Sequence, residues 1–368
     1  MTATHASSLA ADRWRHAQRA SSADPLFLGW EWQQAWWEHC SPSLQDAQRH
    51  TLVVDDAEGR VEAIAPLYSH TARRLPLLGT RSLQFVGSAW RDERVMLSEY
   101  LEPIYPDGKP ASLEKLLNEV GTLAWDEFVA ALTPRNGGFS RAVRGWCTHN
   151  RWYLRELEHS DAHHARLDAG FDAYTRALTP GARRRLLNNR SRLASHGDVV
   201  LRRCEASDIG AGLETLNQLH ARRWGQPAYG PQRLAFLSTL HASLRDDARP
   251  FVSLLEVGGI VISALYEIRI GTRQYNLQMG FDPEFDRSVS PGLLHLGYAM
   301  EEAAGAGVGI YDFLGGAGLR TNYKARISTG TQPMVTLQVV RNPLLATVYR
   351  LRDLARPTRR DQAAATDS

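Results

Sequence analysis

Two short runs of the 368-residue chain hold residue types that can do chemistry. The first is Tyr311-Asp312-Phe313-Leu314-Gly315-Gly316, followed by Tyr323-Lys324. An acid inside an apolar run that ends on a glycine pair reads as a carboxylate at a strand end. There it can take a proton or orient an amine, with burial tuning its pKa. The same carboxylate can equally satisfy backbone donors of the following loop. Lys324 can pair with a phosphate or an acidic substrate, or be a solvated surface cation. It stands out because Lys109, Lys115 and Lys324 are the three lysines among 43 Lys and Arg residues.

The second run is the loop Asp282 to Gly292, which contains Arg287 and leads into Ser290-Pro291-Gly292-Leu293-Leu294. Serine is a favoured N-cap and proline a favoured first helical residue. A helix start offers unpaired N–H groups and the positive end of the dipole, so it suits a phosphate. It is also what any well-capped helix looks like. A third feature is the basic set Arg183, Arg184, Arg185, Arg190, Arg192, Arg202 and Arg203, with Asp198 as the one acid within its span. It reads as a solvated helix face or as a surface for RNA or a phosphorylated carrier. His163-His164 lacks a third ligand at metal spacing, so no metal is expected. Trp30, Trp32, Trp36 and Trp37 are spaced for a helix packed on a sheet.

The elements that must position these residues form a mixed pattern. Helix signals cover 26–40, 112–123, 171–195, 208–224, 231–245, 291–304 and 344–354. Strand signals cover 51–55, 61–68, 83–86, 125–132, 251–257, 260–268, 273–281, 308–314 and 331–341, with Gly258-Gly259 as a hairpin turn. This order predicts an α/β (α+β) protein with a mixed sheet. At 43% hydrophobic and 23% charged residues the chain can build a core. A net charge of +3 is not that of a general nucleic-acid binder, and no DNA partner is expected. Cys40, Cys147 and Cys204 are too scattered for a disulfide framework. No stretch approaches the roughly 18 apolar residues of a membrane-spanning helix, and no apolar leader is evident, so a cytoplasmic protein is expected.

From about Ala165 to Val340 the sequence resembles the GNAT-superfamily acetyltransferases of the CelD, cellulose-biosynthesis type, which are related to the Fem peptidyltransferases. The motifs that carry this are the arginine-rich segment, Leu219 to Trp224, Ser-Pro-Gly-Leu-Leu, Tyr-Asp-Phe-Leu-Gly-Gly and Tyr-Lys. Phe27 to Trp37 is a weaker echo in the first half. The resemblance implies two tandem GNAT-like domains, at 1–157 and 158–345, with a terminal helix and polar tail at 346–368. It implies transfer of an acyl group from acetyl-CoA or another acyl-CoA to a small-molecule or saccharide amine, such as an amino sugar or an envelope polysaccharide precursor. By position, Arg287, Val289, Ser290, Gly292, Leu293 and Leu294 stand where the family holds the coenzyme A pyrophosphate. The usual Gln/Arg-x-x-Gly-x-Gly/Ala run is only partly matched there.

The chemistry then needs a base, with Asp312 or Glu267 as candidates. It needs an oxyanion donor, sought among the backbone N–H groups of Gln278, Met279 and Gly280. It needs a proton for the thiolate, from Tyr311 or Tyr323. Trp224 and Lys324 are candidate substrate contacts. The alternatives are a Fem-like transferase, for which the arginine-rich segment would hold charged tRNA, and an inactive GNAT-like scaffold.

Overall fold

The computed structural model describes residues 4–5, 10–75, 78–92, 94–286, 288–315 and 323–355. The chain divides into two compact units. The first comprises 1–33, 41–159 and 335–368, and the second 34–40 and 160–334. The expected boundary at 157/158 falls inside one long strand, close to the 159/160 division. From 335 to 355 the described residues group with the first unit. Apolar strand residues Val335, Leu337 and Val339 are buried in that unit's core, where they meet Leu67, Phe85 and Phe128. Arg287, Gly316 and the tail from 356 lie outside the described residues.

In chain order the first unit holds β1 (Thr4–His5), α1 (Ala11–Arg19), the start of α2 (Trp30–Cys40), β2 (Gln48–Asp55), β3 (Val61–Leu75), β4 (Leu78–Phe85), α3 (Pro110–Thr122), β5 (Glu127–Pro134), α4 (Gly138–Asn150) and the start of β6 (Tyr153–Arg166). The second continues with α5 (Phe171–Ala177), α6 (Pro180–Arg183), α7 (Arg190–Ala194), β7 (Val199–Glu205), α8 (Ile209–Trp224), α9 (Pro231–Ser243), β8 (Ala248–Val257), β9 (Ile260–Ile270), β10 (Arg273–Phe281), α10 (Pro291–Gly305), β11 (Ile310–Leu314), α11 (Lys324–Ile327) and the start of β12 (Gly330–Val340). α12 (Pro343–Leu354) closes the first unit.

Each unit repeats one scheme. An antiparallel meander is followed by a helix, and the next strand adds parallel to the meander's last strand. In the first unit this is β2-β3-β4, then α3, then β5 beside β4. In the second it is β8-β9-β10, then α10, then β11 beside β10. The return to a parallel strand needs a helical crossover, which is why α3 and α10 stand where they do. The mixed α/β class is as the sequence predicts. Trp32 and Trp36 are buried, and Phe27 packs edge-on against Trp32 at 4.9 Å, in keeping with core packing.

The segment 171–195 is not one helix. Leu178 leaves helical geometry before Pro180, and the Thr179 side chain caps the restart. Residues 184–188 then form a π-turn, a form often found where a helix bends to serve a site. Arg202 and Arg203 lie on strand β7, not on a helix. The dense arginines also have acids the sequence does not put near them. Arg190 pairs with Glu301, Arg192 with Asp286, Arg202 with Glu256, and Arg203 with Glu302. Arg183 instead donates to the backbone carbonyls of Thr175, Arg176 and Leu178 at the end of α5.

Candidate active site

Strands β10 and β11 pair over three positions only: Arg273 with Ile310, Gln274 with Tyr311 and Tyr275 with Asp312. Beyond Tyr275 they part. The cause is local. The β9–β10 register shifts between Asn276 and Gln278, so Leu277 is a bulge. A bulge bends its strand and increases its twist. β10 therefore turns away from β11 and leaves a wedge at the carboxyl end of the parallel pair, the usual place for a ligand in such sheets.

The first unit has the same junction, Ser82 with Glu127 through Gln84 with Val129, but its opening is filled. There the Ser98 N–H donates to the Gly87 carbonyl and the Leu101 N–H to the Leu132 carbonyl. Both Ser98 and Leu101 are fully buried. Glu127, which opens that junction as Ile310 opens the other, is held by Arg74 at 2.7 Å. The site candidates therefore belong to the second unit.

A buried polar cluster marks the base of the wedge. Glu267 on β9 is fully buried. Its Oε1 accepts from the Tyr311 hydroxyl at 2.5 Å and from Gln274 Nε2 at 2.8 Å, and its Oε2 from Ser253 Oγ at 3.2 Å. Burial pushes the Glu267 pKa up, against those donors and the charge of Arg203. Burial and the neighbouring carboxylate also hold the Tyr311 phenol protonated, well above the usual tyrosine range. Asn276 lies beside the phenol, near enough to favour the phenolate, and its buried Nδ2 makes no hydrogen bond of ordinary geometry among the described residues. A buried donor without a well-formed bond is costly, so one at the base of a wedge points to an acceptor supplied from outside.

Tyr311 and Asp312 are neighbours in sequence but face opposite sides of the sheet, as strand geometry requires. Asp312 is fully buried away from Glu267. Its Oδ2 accepts from Arg273 Nη2 at 2.5 Å and Nε at 3.1 Å, and its Oδ1 accepts from the Leu314 N–H at 2.7 Å. That last bond supports the positive φ of 61° at Leu314. Asp312 is thus engaged as a support of the strand end. Asp312→Asn is expected to cost about 3 kcal/mol, because it removes the buried carboxylate charge that the Arg273 guanidinium faces. A lowered midpoint in urea denaturation checks this.

The Lys324 ammonium donates to the carbonyls of Leu314 and Gly315, so it closes the end of β11. Tyr323 packs with Met279, Leu293 and Leu187 on one apolar cluster. Burial pushes its phenol up to about 12, with Arg223 opposing. The Arg223 guanidinium lies 4.2 Å over Phe281 and 4.7 Å over Trp224. Trp224, at the end of α8, is 48% exposed and presents an aromatic face.

The Met279 N–H is turned out of the β9 ladder and accepted by its neighbour's Gln278 Oε1 at 2.9 Å. Gly280 is packed on α8, where an added Cβ would lie 2.7 Å from the Leu216 carbonyl oxygen. At the start of α10, Ser290 is the N-cap residue but its side chain makes no capping bond. Gly292 does not leave open space. An added Cβ there would meet Met279 Sδ at 2.8 Å and Phe281 at 2.9 Å. Its role is to press the helix start onto β10, not to admit a ligand. Val289 and Leu294 are buried in an apolar cluster with Leu193 and Leu255, while Leu293 stays half-buried beside Met279.

The structure therefore gathers Glu267, Tyr311, Tyr323, Met279, Leu293 and the α10 start, and separates Asp312 and Lys324 from the base of the wedge. It adds Ser253, Gln274, Asn276 and Arg223, which the sequence reading missed. A signal existed for two of them. Gln274 and Asn276 alternate at period two within an otherwise strand-like run, so they share one face.

The family model described as "Acetyltransferase (GNAT) domain" matches residues 180–325. No curated protein matches the chain. Among solved structures the chain is similar to FemX, at TM-score 0.62 and 14% identity, over 95% of this chain and 99% of that one. It is also similar to L-PGS from Bacillus licheniformis, at TM-score 0.52 and 8% identity, over 92% and 94%. A third is the C-terminal domain of a putative lysylphosphatidylglycerol synthetase from Agrobacterium fabrum, at TM-score 0.51 and 14% identity, again over 92% and 94%. At these identities the likeness is one of fold. No helix among the described residues is long and apolar enough to cross a membrane.

Proposed function

We propose that the second unit is an acyl-CoA-dependent N-acyltransferase. The observation that carries this reading is the wedge between β10 and β11, with the buried Asn276 amide and the Tyr311–Glu267 pair at its base. The acyl thioester enters the wedge, and the backbone N–H groups of the first turn of α10 receive the pyrophosphate. The acceptor is an amine on an amino sugar or envelope polysaccharide precursor. Exposed Trp224 offers it a flat aromatic face.

Glu267 acts as the base through Tyr311. The tyrosine oxygen takes the amine proton as its own proton passes to the carboxylate. The Met279 N–H and Asn276 Nδ2 receive the developing oxyanion once Gln278 swings aside. Tyr323 keeps its proton at neutral pH, so it is available to the leaving thiolate. Asp312 and Lys324 hold the strand end in place.

Thermal stabilisation with acetyl-CoA, longer acyl-CoAs, free coenzyme A and tRNA tests the donor. Acyl-CoA at 100 times its Kd is expected to add about 2.7 kcal/mol, a rise of several degrees in Tm. A shift with tRNA alone transfers the reading to a Fem-like aminoacyl transferase. The pairing of Arg190, Arg192, Arg202 and Arg203 with acids counts against that outcome. No shift with any of them leaves an inactive scaffold.

A further inference from the structure

Glu267 poses a problem that the wedge does not solve. A base that is fully buried must return to its carboxylate form after each turnover, so its proton needs a way out. A second opening lies on the other side of the carboxylate. A cavity of about 280 Å³ is walled by Ser253, His295, Tyr298 and Ala299 and rimmed by Leu201, Arg202, Arg203, Glu301 and Glu302. At the rim, the side chains of Arg202, Glu301 and Glu302 are 52%, 49% and 48% exposed, so the cavity meets solvent. Its volume takes several waters at about 30 Å³ each, and its polar wall can hold them. Ser253 is 5% exposed and bonds to Glu267 Oε2, while Tyr311 bonds to Oε1. The buried His295 places its Nδ1 3.0 Å from Ser263 Oγ. Its Nε2 has no hydrogen-bond partner among the described residues.

We propose that Ser253 and this cavity form a proton exit, so that Tyr311, Glu267 and Ser253 make one path from the wedge to solvent on the far side. The inference rests on the base role given to Glu267 above. The path balances in two steps. In the first, the amine gives a proton to Tyr311 Oη as the Tyr311 proton moves to Oε1, which leaves tyrosine neutral and Glu267 a carboxylic acid. In the second, a half-turn of the carboxyl brings its O–H against Ser253 Oγ. The serine accepts that proton and passes its own to a cavity water, and Glu267 is a carboxylate again. One proton has left by this path, Tyr311, Glu267 and Ser253 are back in their starting forms, and the proton Tyr323 gives to the thiolate is replaced from solvent. Ser253 touches no substrate and acts through Glu267. It is a relay, not a catalytic residue.

The test does not require turnover. In deuterated, ring-labelled full-length protein, the Tyr311 hydroxyl proton is assigned by its loss in Tyr311→Phe, and its exchange with water is read by saturation transfer. Ser253→Ala is expected to slow that exchange at least tenfold, and Ser253→Thr, which keeps a hydroxyl, to restore it. Ala299→Leu, which narrows the cavity, is expected to slow it as well. Exchange in Ser253→Ala as fast as in the unaltered protein, with both folded by circular dichroism, overturns the proposal. So does slow exchange that Ser253→Thr fails to restore. Failure of the acyltransferase reading shows separately, as an absence of thiol release by the unaltered protein with every acyl-CoA and amine offered.

Discussion

Glu267→Gln is expected to lower the rate of amine acylation by 10²-fold or more while leaving the KM for acyl-CoA unchanged. Glutamine keeps the size of the side chain and can still bond to Ser253 and Tyr311, so the fold survives. What it cannot do is take a proton from Tyr311. The loss therefore falls on the chemical step and not on binding, and thiol release under saturating acyl-CoA reads it. The pH profile gives an independent check. Burial raises the Glu267 pKa, so its basic form is lost as pH falls through a value above the ordinary glutamate pKa of about 4.3. The acid limb of the unaltered protein should accordingly lie above that value and vanish in Glu267→Gln. A variant that keeps its rate and its acid limb would remove Glu267 from the reaction and return attention to Asp312.

The second large effect is one of packing. Gly297→Ala is expected to destabilise the protein by roughly 2–4 kcal/mol, at the upper end of single-methyl overpacking. Gly297 lies in the middle of α10, where an added Cβ would stand 2.1 Å from the Leu186 carbonyl oxygen. That oxygen belongs to the π-turn at 184–188, and Leu186 is fully buried, so neither backbone can yield cheaply. Gly305→Ala, at the open end of the same helix, meets nothing within 4 Å and is the control. It should be neutral or gain up to about 1 kcal/mol from chain entropy. Calorimetric Tm values separate the two, and a Gly297→Ala Tm within a degree or two of the unaltered protein would show that the π-turn is not pinned to α10. Since α10 carries the proposed pyrophosphate site at its start, the same variant should also weaken acyl-CoA binding.

Much of the second unit is legible in the sequence because its signals are local. The spacing predicts β10 at 273–281, where it is found, and the Ser-Pro opening marks the start of α10 to the residue. β7 and α4 escape such a reading. β7 is an edge strand whose outward Val200, Leu201, Arg202 and Arg203 show no burial alternation. α4 begins at Gly138 with no side-chain cap, so its start looks like the loop before it. The break at Leu178 is signalled by Pro180, yet the arginine run around it outweighs that mark in a helix count.

The site divides along the same line. Residue type alone singles out Asp312, an acid in an apolar run, and the Ser290-Pro291-Gly292 helix start, while Glu267, Tyr311, Tyr323 and the rest of the 289–294 run enter only through the family resemblance. Sequence alone also determines that Tyr311 and Asp312 face opposite sides, since a strand alternates. Which of the two carboxylates stands beside Tyr311 is settled by tertiary structure. The β9–β10 and β10–β11 registers bring Glu267, Gln274 and Tyr311 together from three strands, while Arg273 claims Asp312 on the opposite face. Arg203 has Glu205 two residues away, but the other acids that pair with these arginines come from 54 to 111 residues away for the same reason: register and packing decide which charges meet. The wedge itself depends on one bulge at Leu277, which no local residue pattern announces and which only the pairing of β10 with two different neighbours creates.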